Sequence, residues 1–249
     1  MANPSVKSAL RAMELLAFFS EWRRPASVKE VSQTLGYPQS STSVLLRTLA
    51  DAGYFDHDAR TGMYIPGMRL LLATEWIGEQ MLSERSLLRL MQQVHAQTGH
   101  TVMIGAQQGL HVCYLHVLQA TRAEHFTAKI GSLRPLFRSA TGKMLLTLKP
   151  EREIGLLLRR ANAMDADIVP PLALDDVLAA REASRRQGYA MSNGTSVPGA
   201  TALAILLPVP RGVKPMTLSI GGPIKDIVDD QPRLLALLQE AVSPMRAVS

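Results

Sequence analysis

The chain contains a single cysteine, Cys113, among 249 residues. One thiol cannot form an intramolecular disulfide, so a disulfide-stabilised secreted scaffold is excluded, and a cytoplasmic location fits best. Long hydrophobic runs are also missing, and the N-terminal residues lack a signal-peptide core, so no association with a membrane is predicted. Charged residues make up only 19% of the chain and hydrophobic residues 47%. This composition indicates folded domains rather than disorder, and the length allows two cores.

A strong excess of positive charge is absent from the N-terminal part. The net charge of the whole chain is +6, but residues 1–66 contain seven Lys or Arg against six Asp or Glu. Bulk charge therefore gives little support for nucleic-acid binding, and motif order must decide. The six histidines show no zinc-type spacing with Cys or acidic residues. The sequence predicts no metal site and no cofactor.

Residues 27–64 have the pattern of two short helices joined by a tight turn. Ser27 and Glu30 form the capping-box pair that starts a helix, and Gly36 is placed to end it. Pro38 turns the chain, because proline biases the preceding residue away from the helical conformation, and then begins the second helix. Four apolar positions of the second helix are predicted to face inward: Val44, Leu45, Leu49 and Ala52.

A β-hairpin is predicted after the second helix. Tyr54-Phe55 and Met63-Tyr64-Ile65 form its strands, with a polar loop containing Gly62 between them. A helix over residues 5–21 precedes the pair and is predicted to pack beneath it through Ala9, Ala12, Met13, Leu16 and Phe19. The order helix, turn, helix, hairpin is typical of a winged helix-turn-helix. The sequence therefore predicts binding to a double-stranded DNA operator.

Nine residues are candidates for DNA contact. The early residues of the second helix reach base edges in helix-turn-helix proteins, and a cation one turn later suits a phosphate. These positions are Gln39, Ser40, Ser41, Ser43 and Arg47. The alternative is that the serines only cap and solvate the helix. Four further cations are candidates for phosphate contact: Lys7, Arg11, Lys29 and Arg60. A solvated helix face remains the alternative for the first two, and an ordinary turn arginine for the last.

Two N-terminal blocks are similar to those of one bacterial family. They are S-x-x-R-A-M-E-L-L at 8–16 and G-Y-F…T-G-M-Y-I-P-G-M-R-L at 53–70, and they resemble the head of the IclR family of transcriptional regulators. The resemblance implies that Met68 to Met81 is a linker helix that pairs two heads in a homodimer, with a dimer of dimers as the expected larger assembly. Leu71, Leu72 and Trp76 are then predicted to pack against the twin helix, although Trp76 in its own core is the alternative.

The remaining residues alternate predicted strands and helices. The strands are predicted over 101–106, 110–118, 126–130, 189–192, 200–207 and 216–220. The helices are predicted over 84–98, 139–148, 151–161, 174–187 and 227–242. Ser139 is the expected N-cap of its helix. This order favours an antiparallel sheet covered by helices, an α+β domain.

Four C-terminal blocks are similar to later blocks of the same family. They are S-A-T-G-K-M-L-L-T at 139–147, G-Y-A-x-S at 188–192, P-G-A-T-A-L-A-I-L-L-P-V at 198–209 and L-S-I-G-G-P at 218–223. The chain departs from the family at Asn193-Gly194-Thr195, where an acidic residue is frequent, and at Gly221, where serine is frequent. The resemblance implies an α+β protein with a winged helix-turn-helix domain (1–66), a linker helix (67–81) and a GAF/PAS-like, antiparallel-sheet effector-binding and oligomerisation domain (82–249).

Two predicted strands alternate small and bulky side chains. Ala200, Ala202 and Ala204 share one face of the first, and Thr217, Ser219 and Gly221 share one face of the second. Side by side, these small faces leave a space that either a closely packed helix or a ligand fills. The resemblance implies a ligand there, the effector.

The predicted effector is a small organic acid, aliphatic or aromatic. Its acid group is placed at the helix N-terminus beside Ser139, because free N–H groups and the helix dipole favour an anion. The full set of candidate contacts is Arg134, Ser139, Thr141, Gly142, Met144, Ser192, Ala202, Ser219 and Gly221.

Catalytic residues are not predicted. Within one strand His111 shares a face with Cys113 but has no evident orienting acid, whereas His116 lies on the opposite face. Thr141-Gly142-Lys143 is no phosphate loop, because Met144 replaces the hydroxyl residue that binds magnesium. The predicted function is a ligand-responsive transcriptional regulator, repressor or activator. The alternative is a DNA-tethered metabolic enzyme with a catalytic C-terminal domain, which would consume the acid instead of only responding to it.

Overall fold

The computed structural model describes residues 6–81, 87–122, 126–164, 170–209 and 212–246. The chain divides into two compact units, residues 1–80 and 81–249. Among the helices of these described ranges, none has both the length and the apolar character needed to cross a membrane.

The N-terminal unit is a winged helix-turn-helix, as predicted. Its elements are α1 (Lys7–Trp22), β1 (Ala26–Ser27), α2 (Val28–Leu35), α3 (Gln39–Asp51), β2 (Phe55–Asp58), β3 (Met63–Pro66) and α4 (Met68–Met81). The strands form an antiparallel sheet in the order β1-β3-β2. The predicted capping box is present, since Ser27 Oγ accepts the N–H of Glu30 and the Glu30 carboxylate accepts the N–H of Ser27 at 2.8 Å.

The core of this unit uses only part of the predicted stripe of α1, since Phe19 is buried and Leu16 packs against the core as predicted. Leu15, Phe18 and Phe19 are buried, whereas Ala9 is exposed and Met13 is 63% exposed. The large aromatic side chains account for this choice, because they bury more apolar area than alanine. Phe19 packs edge-on against Phe55 of the wing, with ring centres 5.3 Å apart.

The C-terminal unit is an α+β domain with one antiparallel sheet, as predicted. Its elements are α5 (Leu87–Thr98), β4 (Thr101–Gln108), β5 (His111–Leu118), β6 (Leu133–Pro135), α6 (Ala140–Leu146), α7 (Glu151–Met164), α8 (Leu174–Gln187), β7 (Ala190–Met191), β8 (Ala200–Leu206), β9 (Met216–Pro223), α9 (Ile224–Asp229) and α10 (Gln231–Arg246). The strand order is β6-β5-β4-β9-β8-β7. Residues 84–86 of the predicted helix 84–98 lie outside the described residues.

The sheet separates two apolar cores. The bulky residues of β8 and β9, such as Leu203 and Ile220, pack with α5 and α10 on one side. On the other side the small faces lie next to each other, because Ala202 pairs with Gly221 and Ala204 pairs with Ser219. Helix α6 covers this second side.

Two predicted elements were wrong. Residues 126–130 form no strand. Side chains bind two of their carbonyls, because Thr101 Oγ1 donates to that of Phe126 and Gln119 Nε2 to that of Ala128, and the N–H of Ser132 makes a turn on the carbonyl of Lys129. The predicted helix 227–242 is two helices interrupted at Asp230. Pro232 has no N–H to continue the first helix, but it fits the first turn of a new one.

Candidate DNA-binding and effector-binding sites

Helix α3 has one buried and one exposed face. Thr42 and Leu46, one turn apart, are 2% and 0% exposed and define the buried face. Val44 lies halfway between them in sequence and is therefore on the opposite face, where it is 66% exposed. The prediction that Val44 faces inward was wrong, and so was that for Ala52, which is exposed at the C-cap of the helix. Its neighbours on the exposed face include Ser40 and Arg47.

The five predicted residues of α3 fall into two groups. Gln39, Ser40 and Arg47 are exposed. Ser41 is only partly exposed, and its hydroxyl donates to the carbonyl of Pro38 at 2.9 Å. Ser43 is half-buried, between the buried and the exposed face of the helix. The capping alternative therefore describes Ser41. Gln39, Ser40 and Arg47 are the residues of this set that are exposed to a partner.

Arg11 has a defined partner that the sequence did not indicate. Its guanidinium carbon lies 4.7 Å from the centre of the Tyr37 ring, and the Tyr37 hydroxyl donates to Glu14. Glu14 follows Arg11 by one helical turn, so both contacts of Tyr37 come from α1. They fix the turn that leads into α3. Lys7, one turn earlier, is exposed.

The other two predicted phosphate contacts are exposed. Lys29 lies in the first turn of α2, and Arg60 lies at the tip of the wing. Asp58 closes the wing turn by accepting the hydroxyl of Thr61 at 2.7 Å and the N–H of Arg60 at 2.8 Å. These bonds, that of Thr61 foremost, lower the pKa of the Asp58 carboxyl below its ordinary value. The Arg60 side chain is exposed at this turn.

Four of the predicted effector contacts line one pocket in the C-terminal unit, named here the Arg134 pocket. They are Arg134, Ser139, Ser192 and Ala202. The cavity volume is about 10 Å³, which is enough for roughly one water molecule.

The Arg134 side chain lies near two aromatic rings that also line this pocket. Its guanidinium carbon lies 5.6 Å from the Tyr114 ring centre and 5.8 Å from that of Phe126. Burial raises the pKa of the Tyr114 hydroxyl, with Arg134 opposing the shift. Arg134 Nε and Ser196 Oγ are buried and have no hydrogen-bond partner among the described residues. Both atoms are donors that a carboxylate oxygen satisfies.

The other five predicted contacts are enclosed by protein atoms outside this pocket. Met144 is 2% exposed in the core under the sheet, and Ser219 donates to the carbonyl of Met103 at 3.3 Å. A Cβ atom on Gly221 would lie 2.9 Å from Met103 Cε. Helix α6 packs against the small faces of β8 and β9, and Met103 lies against Gly221.

At the start of α6, where an anion was predicted to bind, one of the backbone N–H groups is already bonded within the protein. Ser139 is the N-cap, and its Oγ accepts the N–H of Gly142 at 3.1 Å. Thr141 turns its methyl group toward Gly105 of β4. Neither Thr141 nor Gly142 lines the Arg134 pocket.

Comparison with known proteins adds the family. Residues 81–246 match the family described as bacterial transcriptional regulator IclR C-terminal, and residues 8–59 match the IclR helix-turn-helix domain. The chain belongs to the IclR family. It is therefore a DNA-binding transcriptional regulator rather than an enzyme, and the predicted family and fold class are confirmed.

Relatives match this IclR-family regulator over most of its length. The acetate operon repressor of Salmonella typhimurium is 26% identical over 235 residues, which cover 91% of this chain and 83% of the repressor. The crystal structure of an IclR transcriptional regulator from Alicyclobacillus acidocaldarius aligns with a TM-score of 0.64 at 21% identity, covering 98% of this chain and 99% of that one. The E. coli repressor IclR is 26% identical and covers 92% of this chain and 85% of its own.

Within the described ranges, no three His, Cys, Asp or Glu side chains are grouped so that they could hold a metal ion. Cys113 is half-buried in β5, with its Sγ 4.0 Å from the carbonyl oxygen of Tyr114.

Proposed function

We propose that this regulator contacts its operator with the exposed face of α3 and changes its affinity for DNA when a small organic acid enters the Arg134 pocket. It acts in the cytoplasm as a homo-oligomer. The proposed contact with DNA is supported by the exposed face of α3. Ser40, Val44 and Arg47 lie on this face, away from the buried Thr42 and Leu46. A helix with this arrangement fits the major groove, with polar side chains toward base edges and cations toward phosphates.

The proposed role of the acid rests on two buried donors that have no hydrogen-bond partner among the described residues. Arg134 Nε and Ser196 Oγ line the same pocket, and a carboxylate that bonds to both removes the cost of leaving them unsatisfied. The pocket holds little more than one water, so side chains that line it, Arg134 among them, must move when the acid enters. One relative is named for an acetate operon, and acetate belongs to the proposed class of ligand.

Self-association is proposed from apolar side chains that one chain leaves exposed. Leu71 and Leu72 of α4 are 62% and 59% exposed. On α1, Leu10 and Met13 are 52% and 63% exposed and lie one turn apart. A second copy that covers these residues also supplies the second head that a two-half-site operator requires.

A titration of operator binding with small acids tests the proposal. The operator is selected from random duplex DNA by the purified protein, and its affinity is measured with aliphatic and aromatic carboxylates. We expect at least one acid to change operator affinity and to be recovered unaltered, which excludes the enzyme alternative.

A substitution in the pocket locates the response. Ala202→Phe fills the Arg134 pocket and should abolish the response to the acid while operator binding without acid stays unchanged. Ala179→Phe, on the exposed side of α8, is the matched control and should respond normally. If Ala202→Phe still responds at the wild-type acid concentration, the effector binds elsewhere.

A further inference from the structure

A second, larger cavity lies between α6, α8 and the segment that leads into α6. Its volume is about 190 Å³, and it shares no lining residue with the Arg134 pocket. We name it the α6–α8 cavity. Its apolar wall is formed by Phe137, Leu146, Leu172 and Val177.

Positive charge predominates around this cavity. Among the described residues, Arg138, Lys143 and Arg181 line it, and Asp176 is the one acidic residue. Arg138 comes from the segment before α6, Lys143 from α6 and Arg181 from α8. Three different elements thus bring cations to one space, which a chance surface cluster on one helix would not do.

The hydrogen bonds of these cations leave donors available. Lys143 Nζ donates to the carbonyl of Met191 at 3.0 Å, and an ammonium group has three donors. Arg181 Nε is buried and has no hydrogen-bond partner within the described part of the chain. Arg138 Nη2 donates to the carbonyl of Pro170 at 2.6 Å. A guanidinium has five N–H donors, so all three cations retain donor capacity beside an apolar wall.

A bound anion would also stabilise the charged form of Lys143. Burial lowers the pKa of its ammonium group, because a charge removed from water loses solvation. A bound anion restores part of that stabilisation and satisfies the free donors in the same step.

We propose that the α6–α8 cavity binds a small organic anion, with its acid group at Arg181 and Lys143 and its apolar body against Leu146 and Val177. The cavity is smaller than the pockets that hold drug-sized ligands, so a single ring or a short chain fits. This second site does not depend on the Arg134 pocket, and its binding can be measured without DNA.

Benzoate is a suitable probe, because it combines one ring with one carboxylate. The full-length protein carries methyl labels on Leu and Val, and millimolar benzoate is added while the methyl signals are followed by NMR. We expect saturable shifts of the Leu146, Leu172 and Val177 methyls. Benzyl alcohol, which has the ring without the charge, should bind at least tenfold more weakly.

Two variants of one helix test the role of the charge. Arg181→Gln should raise the dissociation constant for benzoate at least tenfold. Arg185→Gln, which removes an exposed arginine paired with Glu182 at 3.1 Å on the same helix, should leave it unchanged. If Arg181→Gln fails to fold, Arg138→Gln provides the same test from a different element.

Three results would overturn the proposal. The first is an unchanged benzoate affinity in a folded Arg181→Gln or Arg138→Gln variant. The second is a benzoate titration that shifts Val197, which lines the Arg134 pocket, but none of the three cavity methyls. The third is equal binding of benzyl alcohol, which would make the cavity an apolar site without anion selectivity.

Discussion

A Cβ atom on Gly142 would lie 1.9 Å from the carbonyl oxygen of Leu136. The segment before α6 therefore crosses the helix at a distance that only glycine permits. This contact holds Arg134 and Arg138, which lie on either side of Leu136 in sequence, against two different cavities.

Replacing this glycine should destabilise the C-terminal unit. Gly142→Ala places a methyl group against backbone, which cannot rotate away as a side chain can, and we expect a loss of more than about 1 kcal/mol. Hydrogen exchange of the backbone amides of β8 and β9 measures this loss of stability. Gly155→Ala, in the middle of α7 with its nearest atom at 3.9 Å, is the control and should stabilise by about 0.5–1 kcal/mol. Equal behaviour of the two variants would show that the close approach is not maintained in solution.

The capping box should make the N-terminal unit sensitive to acid. The backbone N–H of Ser27, followed by its hydroxyl, holds the pKa of Glu30 below the ordinary 4.5. Ionised Glu30 therefore stabilises the fold above pH 4.5, and this contribution is lost as the pH falls through the lower folded-state value. Between about pH 6 and pH 3, the wild type should lose more stability than Glu30→Gln. Tryptophan fluorescence reports on this unit, because Trp22 and Trp76 both precede residue 81; parallel acid profiles would contradict the prediction.

Val44 should contact a thymine methyl group. It is the apolar residue at the centre of the exposed face of α3, and the 5-methyl of thymine is the apolar feature of the major groove. Replacing the contacted thymine by deoxyuridine in a selected operator should weaken wild-type binding about fourfold, since one buried methyl contributes about 0.8 kcal/mol. Val44→Ala should be less sensitive to the same change. If both proteins respond equally at every thymine, Val44 does not contact a methyl group.

Gln39 and Arg47 should differ in the kind of DNA binding they support. Gln39→Ala should relax sequence preference at a cost of about 1–3 kcal/mol on the selected operator. Arg47→Ala should weaken binding to all sequences and reduce the salt slope by about one. Affinity measured over a series of salt concentrations, on operator and on random DNA, separates the two effects. Operator preference that survives in the Gln39 variant would remove this residue from the base-contacting set.

A charge on α4 should break the proposed oligomer. Leu72→Asp is expected to lower the apparent mass in light scattering and to abolish binding to an operator with two half-sites, because an ionised carboxylate is costly in an apolar interface. Ala179→Asp adds the same charge on the exposed side of α8 and should change neither property. An unchanged mass of the Leu72 variant, with retained binding, would place the interface elsewhere.

Local sequence patterns determined the ends of many elements. The Ser27–Glu30 box, Gly36 and Gly188 act through bonds within one or two helical turns, and α8 has the predicted bounds Leu174–Gln187. Side-chain alternation also predicted that Ala202 and Gly221 lie on adjacent small faces, because the period of a strand is fixed by the backbone. The winged helix-turn-helix and the α+β sheet followed from the order of these elements.

Tertiary structure decided which faces are open and which cavities exist. Val44 has the same local pattern as Leu45, and only the packing of α3 on the remaining helices turns it outward. Residues 126–130 have strand-like composition. The side chains of Thr101 and Gln119, from elsewhere in the unit, donate hydrogen bonds to the carbonyls of Phe126 and Ala128. The α6–α8 cavity joins cations that lie up to 43 positions apart between Arg138 and Arg181. Such sites depend on contacts between distant elements, which the periodicity of a single element does not contain.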